Sequence, residues 1–202
     1  MAERRGPRGR PTLSDDAMAE RREEIASVAL RLFLVEGFAS VSMRRLGKEV
    51  GLTPMALYRY YPSKLDILAR LWGHIIERAF ADVAAATRDC ADSGDALHAA
   101  AQAYVGYWRG HTDHYRLVFM NSGVGNADVR SFVGDAATIA HYDVFFQTVA
   151  SIRCEDRDSP SVKIATDGLL CHLHGIMHSL ITMQGYPWTD AEHLVEDAVK
   201  RV

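Results

Sequence analysis

The stretch SMRRLGKEVGLTPMALYRYYPSK, residues 42–64, decides the fold of the N-terminal third of the chain. Ser42 is suited to cap a short helix that Gly51 ends, and Thr53 to cap another that begins at Pro54, where the missing N–H costs nothing. Short helices joined by a tight, glycine-containing turn have helix-turn-helix spacing, in which the second helix enters the major groove of DNA. Six apolar positions would form a small core beneath them: Met43, Leu46, Val50, Leu52, Leu57 and Tyr61.

Helical periodicity continues through the rest of the chain, and there is no sustained period-two alternation that would predict a sheet. After a loop at 121–126 we expect one helix to about Ile152, and then a very apolar helix over about 161–184. The sequence therefore predicts an all-α protein of about nine helices. We expect a flexible basic arm (1–16), a three-helix helix-turn-helix DNA-binding domain (17–62) and a larger helical domain for ligand binding and dimerisation (63–202).

Composition places the chain among globular proteins, with 202 residues of which 48% are apolar. No run of residues approaches the ~18–20 apolar positions of a membrane span, and no apolar segment follows the basic N-terminus as in an export signal. The cysteines are too few and too scattered for a disulfide framework: Cys90, Cys154 and Cys171. We therefore expect a cytoplasmic protein without a membrane partner.

The net charge of −3 conceals an asymmetry along the chain. Residues 1–70 contain 13 Lys or Arg and 9 Asp or Glu, whereas residues 71–202 contain 10 and 17. A basic first third joined to an acidic remainder predicts one module that binds a polyanion and one with another task.

The residues of the N-terminal third resemble the TetR family of transcriptional repressors. The resemblance runs from about Glu24 to Leu68, and its most specific part is ALYRYYPSK, residues 56–64, after LFLVEGF at 32–38. The C-terminal segments HYRLVF (114–119) and HLHGIMHSL (172–180) resemble the family's subgroup named for a Trp-His-Gly motif, with Leu173 or a neighbour at the Trp position. The resemblance implies a homodimeric repressor on a palindromic DNA operator, released by a small, largely apolar effector.

The resemblance also implies specific DNA contacts for the helix-turn-helix. Ser42 and Arg44, at the start of the second helix, are expected to contact phosphate, and Arg44 also to reach a base. The recognition helix opens with Thr53, Pro54 and Met55. The apolar side chains of the last two favour contact with thymine methyl groups over guanine readout.

Four further DNA contacts are expected after the start of the recognition helix. Tyr58 and Tyr60 would donate their hydroxyls to phosphates, and Arg59 would donate to a base edge. Lys64, at the start of the next helix, would add its charge to backbone N–H groups that attract phosphate. The alternative is that Tyr58 and Tyr60 are ordinary core or surface aromatics and that Arg44, Arg45 and Lys48 form a solvated face.

The apolar helix over about 161–184 has no solvated face, which indicates burial on both sides. Its side bearing Leu169, Leu173, Ile176 and Leu180 would face its own domain. The opposite side consists of small or medium side chains, which allow close approach of a second helix. This side of the apolar helix and the last helix together predict a dimer interface. Its expected residues are Gly168, Cys171, Gly175, His178, Thr182, Leu194 and Ala198.

Cys171, His174 and His178 are spaced by three and four residues, which would place ligands suited to zinc on one helix face. No fourth ligand is evident, and hydrogen-bonded interface residues explain the same pattern. We therefore predict no metal and no cofactor.

Aromatic residues are frequent in the middle helices, and such residues form either plain core or the wall of an effector pocket. The resemblance favours a pocket, because the family encloses an effector in this region. The expected lining comprises Trp72, Tyr104, Trp108, Phe119, Met120, His141, Phe145 and His172.

The sequence PRGRP, residues 7–11, matches the core of the AT-hook, in which an extended Arg-Gly-Arg lies in an A·T-rich minor groove. Arg8 and Arg10 would make that contact, and a disordered tail that adds only charge is the alternative.

Two other functions compete with effector-controlled regulation. One is an architectural DNA-binding protein without an effector, and the other is a helical metal-dependent enzyme centred on Cys171, His174 and His178. The chain contains no nucleophile motif, no phosphate loop and no paired carboxylates on one deep helix face. We therefore predict that it is not an enzyme.

Overall fold

The computed structural model describes residues 14–120, 123–133 and 136–202, and these ranges contain helices and no strand. The prediction of an all-α protein is confirmed. The eleven helices of the described ranges are α1 Asp15–Glu36, α2 Met43–Glu49, α3 Pro54–Leu57, α4 Lys64–Thr87, α5 Ser93–Gly110, α6 Thr112–Phe119, α7 Asn126–Val133, α8 Ala136–His141, α9 Asp143–Arg153, α10 Pro160–Thr182 and α11 Ala191–Val199.

The prediction of about nine helices was wrong, because the single helix expected before Ile152 consists of α7, α8 and α9. At the junction of α8 and α9 the backbone forms i→i−3 hydrogen bonds, from Tyr142 N to Ile139 O and from Phe145 N to Tyr142 O, each 3.0 Å. Such bonds tighten the chain and interrupt the i→i−4 pattern of an α-helix.

The chain forms two compact units, one up to Leu68 and one from Ala69 onward, so that α4 contributes to both. In the first unit α1 packs on α2, and α2 on α3. Hydrogen bonds to other segments hold α1 in place, among them Arg21 Nη2 to Val50 O at 2.7 Å and Tyr61 Oη to Arg22 O at 3.1 Å. The buried apolar residues of this unit include Ile25, Ala29, Phe33, Phe38, Val41, Met43, Leu46, Leu57 and Tyr61.

The second unit is built around α5, which packs against α9, α10 and α11. Trp72 of α4 is buried and donates its indole N–H to Leu117 O of α6 at 2.8 Å. Phe80 of α4 packs on Tyr104 of α5, with ring centroids 5.5 Å apart. The core of this unit is therefore rich in aromatic rings that join α4 to the helices around α5. Among the described residues, no helix is long and apolar enough to cross a membrane.

Candidate nucleic-acid interface and ligand cavity

The turn between α2 and α3 depends on two glycines. Leu52 N donates to Gly47 O at 2.8 Å, and a Cβ added at Gly47 would lie 2.7 Å from Leu52 O. Only glycine therefore fits at position 47 without displacing the backbone of the turn. Gly51 has φ +69°, a left-handed conformation that favours glycine. Together these positions fix α3 against α2 in helix-turn-helix geometry.

Both short helices begin with a hydroxyl cap. Ser42 Oγ accepts from Arg45 N at 3.1 Å, and Thr53 Oγ1 accepts from Ala56 N at 3.2 Å. Each hydroxyl uses a lone pair in the cap and keeps its O–H as a donor. Both side chains are exposed, as a contact with phosphate requires.

The outer face of the α2–α3 pair carries basic, aromatic and apolar side chains. Arg44 and Lys48 lie one turn apart on the exposed side of α2, and Arg59 is exposed just after α3. Within the residues that the structure describes, none of these three side chains has an ion-pair partner. The same face also exposes Pro54, Met55 (77%) and Tyr58 (48%), while Tyr60 is half-buried.

Arg45 differs from its basic neighbours because its guanidinium is occupied inside the unit. It forms ion pairs with Glu36 at 2.8 Å and with Glu49 at 2.7 Å. The hydrogen bond from Arg45 is the main cause that lowers the pKa of Glu49. Arg45 therefore joins α2 to the end of α1 and is not available to a ligand in the same way as Arg44.

Lys64 does not have the surroundings expected of a phosphate ligand. Its Nζ donates to Phe38 O at 2.5 Å and lies 4.1 Å from the centroid of the Phe38 ring. Desolvation lowers the pKa of this amino group. The structure therefore corrects the expected phosphate contact. Lys64 is a positioning residue that fastens the start of α4 to the segment between α1 and α2.

The predicted minor-groove contacts of Arg8 and Arg10 lie outside the described residues. PRGRP thus stays a prediction from the sequence.

The second unit contains a cavity of about 810 Å³. Its walls are mostly apolar, and its polar members are few. The lining residues are Trp72, Ile76, Val118, Phe119, Val124, Val129, Phe132, Thr138, Ile139, Tyr142, Phe146, Lys163, Asp167, Leu170 and His174. Lys163 and Asp167 are exposed and form an ion pair of 2.8 Å, so they neutralise each other at the solvent side of the cavity.

Of the residues expected to line an effector pocket, Trp72 and Phe119 line this cavity. Tyr104, Trp108 and Phe145 are fully buried and belong to the core behind it, and Met120, His141 and His172 lie elsewhere. His172 is exposed on the outer side of α10, where it lines a shallow groove. On α10 the lining residues are instead Lys163, Asp167, Leu170 and His174, whose spacing of four, three and four could have identified the inner face.

Three polar side chains meet at the wall of the cavity, and we call them the polar triad. His174 Nε2 lies 3.2 Å from Tyr104 Oη, which in turn lies 3.1 Å from Tyr142 Oη. Burial lowers the pKa of His174 and raises the pKa of both tyrosines. All three groups are therefore uncharged at neutral pH, and both ends of the triad line the cavity.

The outer face of α10 carries the small residues expected there. Gly168, Cys171, Gly175, His178 and Thr182 are all exposed. A shallow groove between α10 and α11 is lined by Cys171, His172, Gly175, Ile176, Ser179, Leu180, Trp188 and Leu194.

Three side chains near this face differ from expectation. Ala198 is buried within its own unit, which removes it from the predicted interface. Ile176 and Leu180 are only half-buried and face the groove, whereas Leu169 and Leu173 are in the core as expected.

Cys171, His174 and His178 do not converge on a common point. Cys171 is exposed, His174 contacts Tyr104, and His178 Nδ1 lies 3.3 Å from Tyr115 Oη. No group of three His, Cys, Asp or Glu side chains in the described part of the chain is placed to hold a metal ion. The zinc hypothesis and the enzyme that depends on it therefore have no support in this geometry.

Two short capped helices, a glycine turn and an exposed basic face define the first unit as a helix-turn-helix domain. Residues 25–71 match the family model described as "Bacterial regulatory proteins, tetR family", and this match covers the helix-turn-helix and the start of α4. The match ends at residue 71, so the Trp-His-Gly subgroup of the C-terminal region stays a prediction.

Similar proteins include regulators of known name. The chain is 27% identical over 131 residues to the transcriptional activator FasR of Mycolicibacterium smegmatis, covering 65% of this chain and 59% of FasR. It is 29% identical over 100 residues to the nucleoid occlusion factor SlmA of Haemophilus influenzae, covering 49% of this chain and 46% of SlmA. The chain thus spans about half the length of these relatives. The solved structure of the regulatory protein SCO4313 has a TM-score of 0.71 at 19% identity, covering 94% of this chain and 98% of that one, and it shows the same fold.

Proposed function

We propose that this protein is a sequence-specific DNA-binding transcriptional regulator, most simply a repressor that a small, largely apolar effector releases from its operator. The observation that carries the proposal is the outer face of α2 and α3. There Arg44, Lys48 and Arg59 are exposed without ion-pair partners among the described residues, beside Met55 and Tyr58. Three cations on one face favour binding of a polyanion, and the helix-turn-helix geometry favours duplex DNA as that polyanion.

The residues of this face divide between phosphates and bases. Arg44 and Lys48 are proposed to contact phosphates from α2, and Lys48 is an addition that the sequence pattern did not single out. Ser42, Thr53, Tyr58 and Tyr60 are proposed to donate hydroxyls to the backbone of the duplex.

The base contacts are assigned to the start and the end of the recognition helix. Pro54 and Met55 are proposed to touch thymine methyls, and Arg59 to donate to a base edge. Neither apolar side chain has a role in the core, because both are exposed. Contact with a base would remove this apolar surface from water.

A homodimer is proposed because one helix-turn-helix binds weakly and two must act about 34 Å apart along the duplex. The exposed, small side chains of Gly168, Cys171 and Gly175 on α10 support this arrangement, because they allow a second α10 to approach closely. The groove beside α11, with Leu194, would extend the contact. The operator is therefore expected to be a palindrome or a near-palindrome.

Effector control is proposed to act through α4, which contributes to both compact units and carries Trp72 in the cavity wall. An effector shifts the protein away from its DNA-binding conformation only by its differential affinity for the two states. A factor of ~10⁴ moves an equilibrium from 1:99 to 99:1. FasR is named an activator and KstR of Rhodococcus jostii a repressor. Whether this protein represses or activates transcription is therefore a question that the experiment must also answer.

The experiment that tests this proposal is selection of bound duplexes from a random DNA pool, followed by footprinting with and without candidate effectors. We expect one palindromic footprint of two half-sites that an effector weakens. An architectural protein would instead give no single palindromic site. We also expect a cytoplasmic protein without a cofactor or enzymatic activity, and stoichiometric metal in the purified protein would contradict this.

The phosphate assignment has a separate test. Arg44→Ala and Lys48→Ala should each weaken binding to all sequences alike and reduce the salt slope by about one unit. A change of sequence preference in either variant would contradict the assignment.

A further inference from the structure

We infer that the cavity binds an uncharged, mostly apolar molecule with one hydrogen-bonding group, a hydroxyl or a carbonyl, which is held at Tyr142 by the polar triad. This inference rests on the proposed function only in taking the cavity to be a ligand site. It goes further by assigning the chemical class of the ligand and the residue that selects it.

The size and the walls of the cavity set the first condition on the ligand. A volume of about 810 Å³ falls within the range of about 300–1,000 Å³ that is typical of small-molecule sites. Trp72, Phe119, Phe132 and Phe146 supply aromatic walls. An apolar body gains from contact with such walls, because it leaves water without leaving a polar group unpaired.

The charges around the cavity set the second condition. Among the lining residues that the structure describes, the charged ones are Lys163 and Asp167, and their ion pair of 2.8 Å at exposed positions leaves no net charge between them. The polar triad is uncharged as well, since burial favours the neutral forms of His174, Tyr104 and Tyr142. A carboxylate bound inside would be desolvated, and the described cation of the lining, Lys163, is already paired with Asp167, which makes binding of a carboxylate costly.

The hydrogen bonds of the polar triad set the third condition. Tyr104 is fully buried and its hydroxyl lies between His174 Nε2 and Tyr142 Oη. If His174 donates, the triad directs the Tyr142 proton outward, and Tyr142 donates to a carbonyl. If Tyr142 donates inward to Tyr104, its lone pairs accept from a hydroxyl. The triad thus serves either uncharged group by reversing its direction.

The test uses four probes that share one ring system and differ in one group: naphthalene, β-naphthol, methyl β-naphthyl ketone and β-naphthoate. Their affinities for the full chain are measured by isothermal titration calorimetry at neutral pH. We expect the alcohol and the ketone to bind three- to tenfold more tightly than naphthalene, which is about the value of one neutral hydrogen bond. Naphthoate should bind at least about tenfold more weakly than the alcohol.

Tyr142→Phe removes the proposed contact and leaves the ring in place. It should abolish the preference for the alcohol and the ketone while leaving the affinity for naphthalene unchanged. Tyr107→Phe is the matched control, because the Tyr107 hydroxyl is also hydrogen-bonded to another side chain, His114 Nδ1 at 3.1 Å, but Tyr107 does not line the cavity. His174→Leu is a second variant, which should reduce the same preference from the other end of the triad.

Several outcomes would overturn the inference: naphthoate as the tightest probe, equal weakening of all four probes by Tyr142→Phe, or no binding of any probe. The proposed function is judged separately, by operator binding in the absence of probes. Intact operator binding with no bound probe contradicts only the ligand class. Bound alcohol with no sequence-specific DNA binding contradicts only the regulatory function.

Discussion

Arg59 is the side chain on which sequence discrimination most depends in the proposed interface. It is exposed, it follows α3 directly, and no described residue neutralises it. Arg59→Ala should relax specificity at one position of each half-site, with a loss of about 1–3 kcal/mol for the preferred base. The measurement compares binding to the selected operator with binding to its single-base variants.

Lys48→Ala is the control for this experiment, because it removes one cation from the same face at a proposed phosphate contact. It should lower affinity for all operator variants equally. If Arg59→Ala behaves in the same way as Lys48→Ala, the assignment of Arg59 to a base is wrong.

His174 predicts a loss of stability on mild acidification. Burial lowers its pKa below the ordinary 6.5, so the unfolded chain binds its proton at a higher pH than the folded protein does. Its contribution to stability is therefore complete above pH 6.5 and falls as the pH drops through 6.5 towards the folded pKa. His114 has its pKa lowered by burial and by His111, and it adds an effect of the same sign.

The measurement is the free energy of unfolding in urea between about pH 7 and pH 5. His174→Gln should give a shallower decrease than the unmodified protein, and His114→Gln should remove a further part. Asp143 and Glu49 have their pKa values lowered by their hydrogen bonds to Arg157 and Arg45, so they remain charged in the folded protein as the histidines take up protons. Equal slopes for His174→Gln and the unmodified protein would contradict the buried neutral imidazole.

At the scale of elements, α2 and α3 were predictable because their signals are local. The helix caps are Ser42 and Thr53, the first turn of α3 begins at Pro54, and α2 is stopped by Gly51. Each of these residues acts only on positions within a few residues of itself. The role of Lys64 was not predictable, because its partner Phe38 lies 26 residues earlier in the chain. Sequence spacing cannot show which distant carbonyl will meet an ammonium group.

The lining of the cavity was predicted only in part, because it too depends on contacts between residues that are distant in the sequence. Periodicity shows that Tyr104, Trp108 and Phe145 are apolar positions, but it does not separate a ring packed in the core from one at a cavity wall. That difference depends on how α4, α6, α9 and α10 meet. His174, which the pattern suggested only as a metal ligand, forms part of the wall because the inner face of α10 is occupied by Leu170 and His174.

The outer face of α10 yields a prediction about dimerisation. Gly175 is exposed, and a Cβ added there meets no atom within 4 Å, so Gly175→Leu should leave the protomer folded. The larger side chain would prevent close approach of a second α10 and should weaken the dimer by about 1–3 kcal/mol. Sedimentation velocity over a concentration series measures the shift from dimer to monomer.

Gly106→Leu provides the matched control on α5. Gly106 is also an exposed helical glycine with no atom within 4 Å of an added Cβ, and it lies away from the α10–α11 groove. Both substitutions raise helix propensity by a similar amount, roughly 1 kcal/mol. If the two variants have the same dimer affinity, another surface forms the dimer.

At the scale of the whole molecule, the N-terminal arm is predicted to extend the operator. Deletion of residues 1–11 removes Arg8 and Arg10 from an Arg-Gly-Arg segment suited to a narrow minor groove. The loss of affinity should be about tenfold larger for operators flanked by A·T pairs than for operators flanked by G·C pairs. An equal loss of affinity for both kinds of operator, measured at one salt concentration, would show that the arm contributes only non-specific electrostatic attraction.

Effector and operator are expected to be coupled reciprocally through the whole molecule. If β-naphthol weakens operator binding by a factor that typically lies between about 5 and 150, the operator must weaken β-naphthol binding by the same factor, because both are sides of one thermodynamic cycle. Two titrations measure the factor: operator binding at zero and saturating probe, and probe binding at zero and saturating operator.

Tyr142→Phe should weaken β-naphthol binding and shift the concentration at which the probe acts, while operator affinity without the probe stays unchanged. Unequal factors would show that the two titrations do not follow one reversible equilibrium, as when the probe unfolds or aggregates the protein, and equal factors of 1 would contradict effector control.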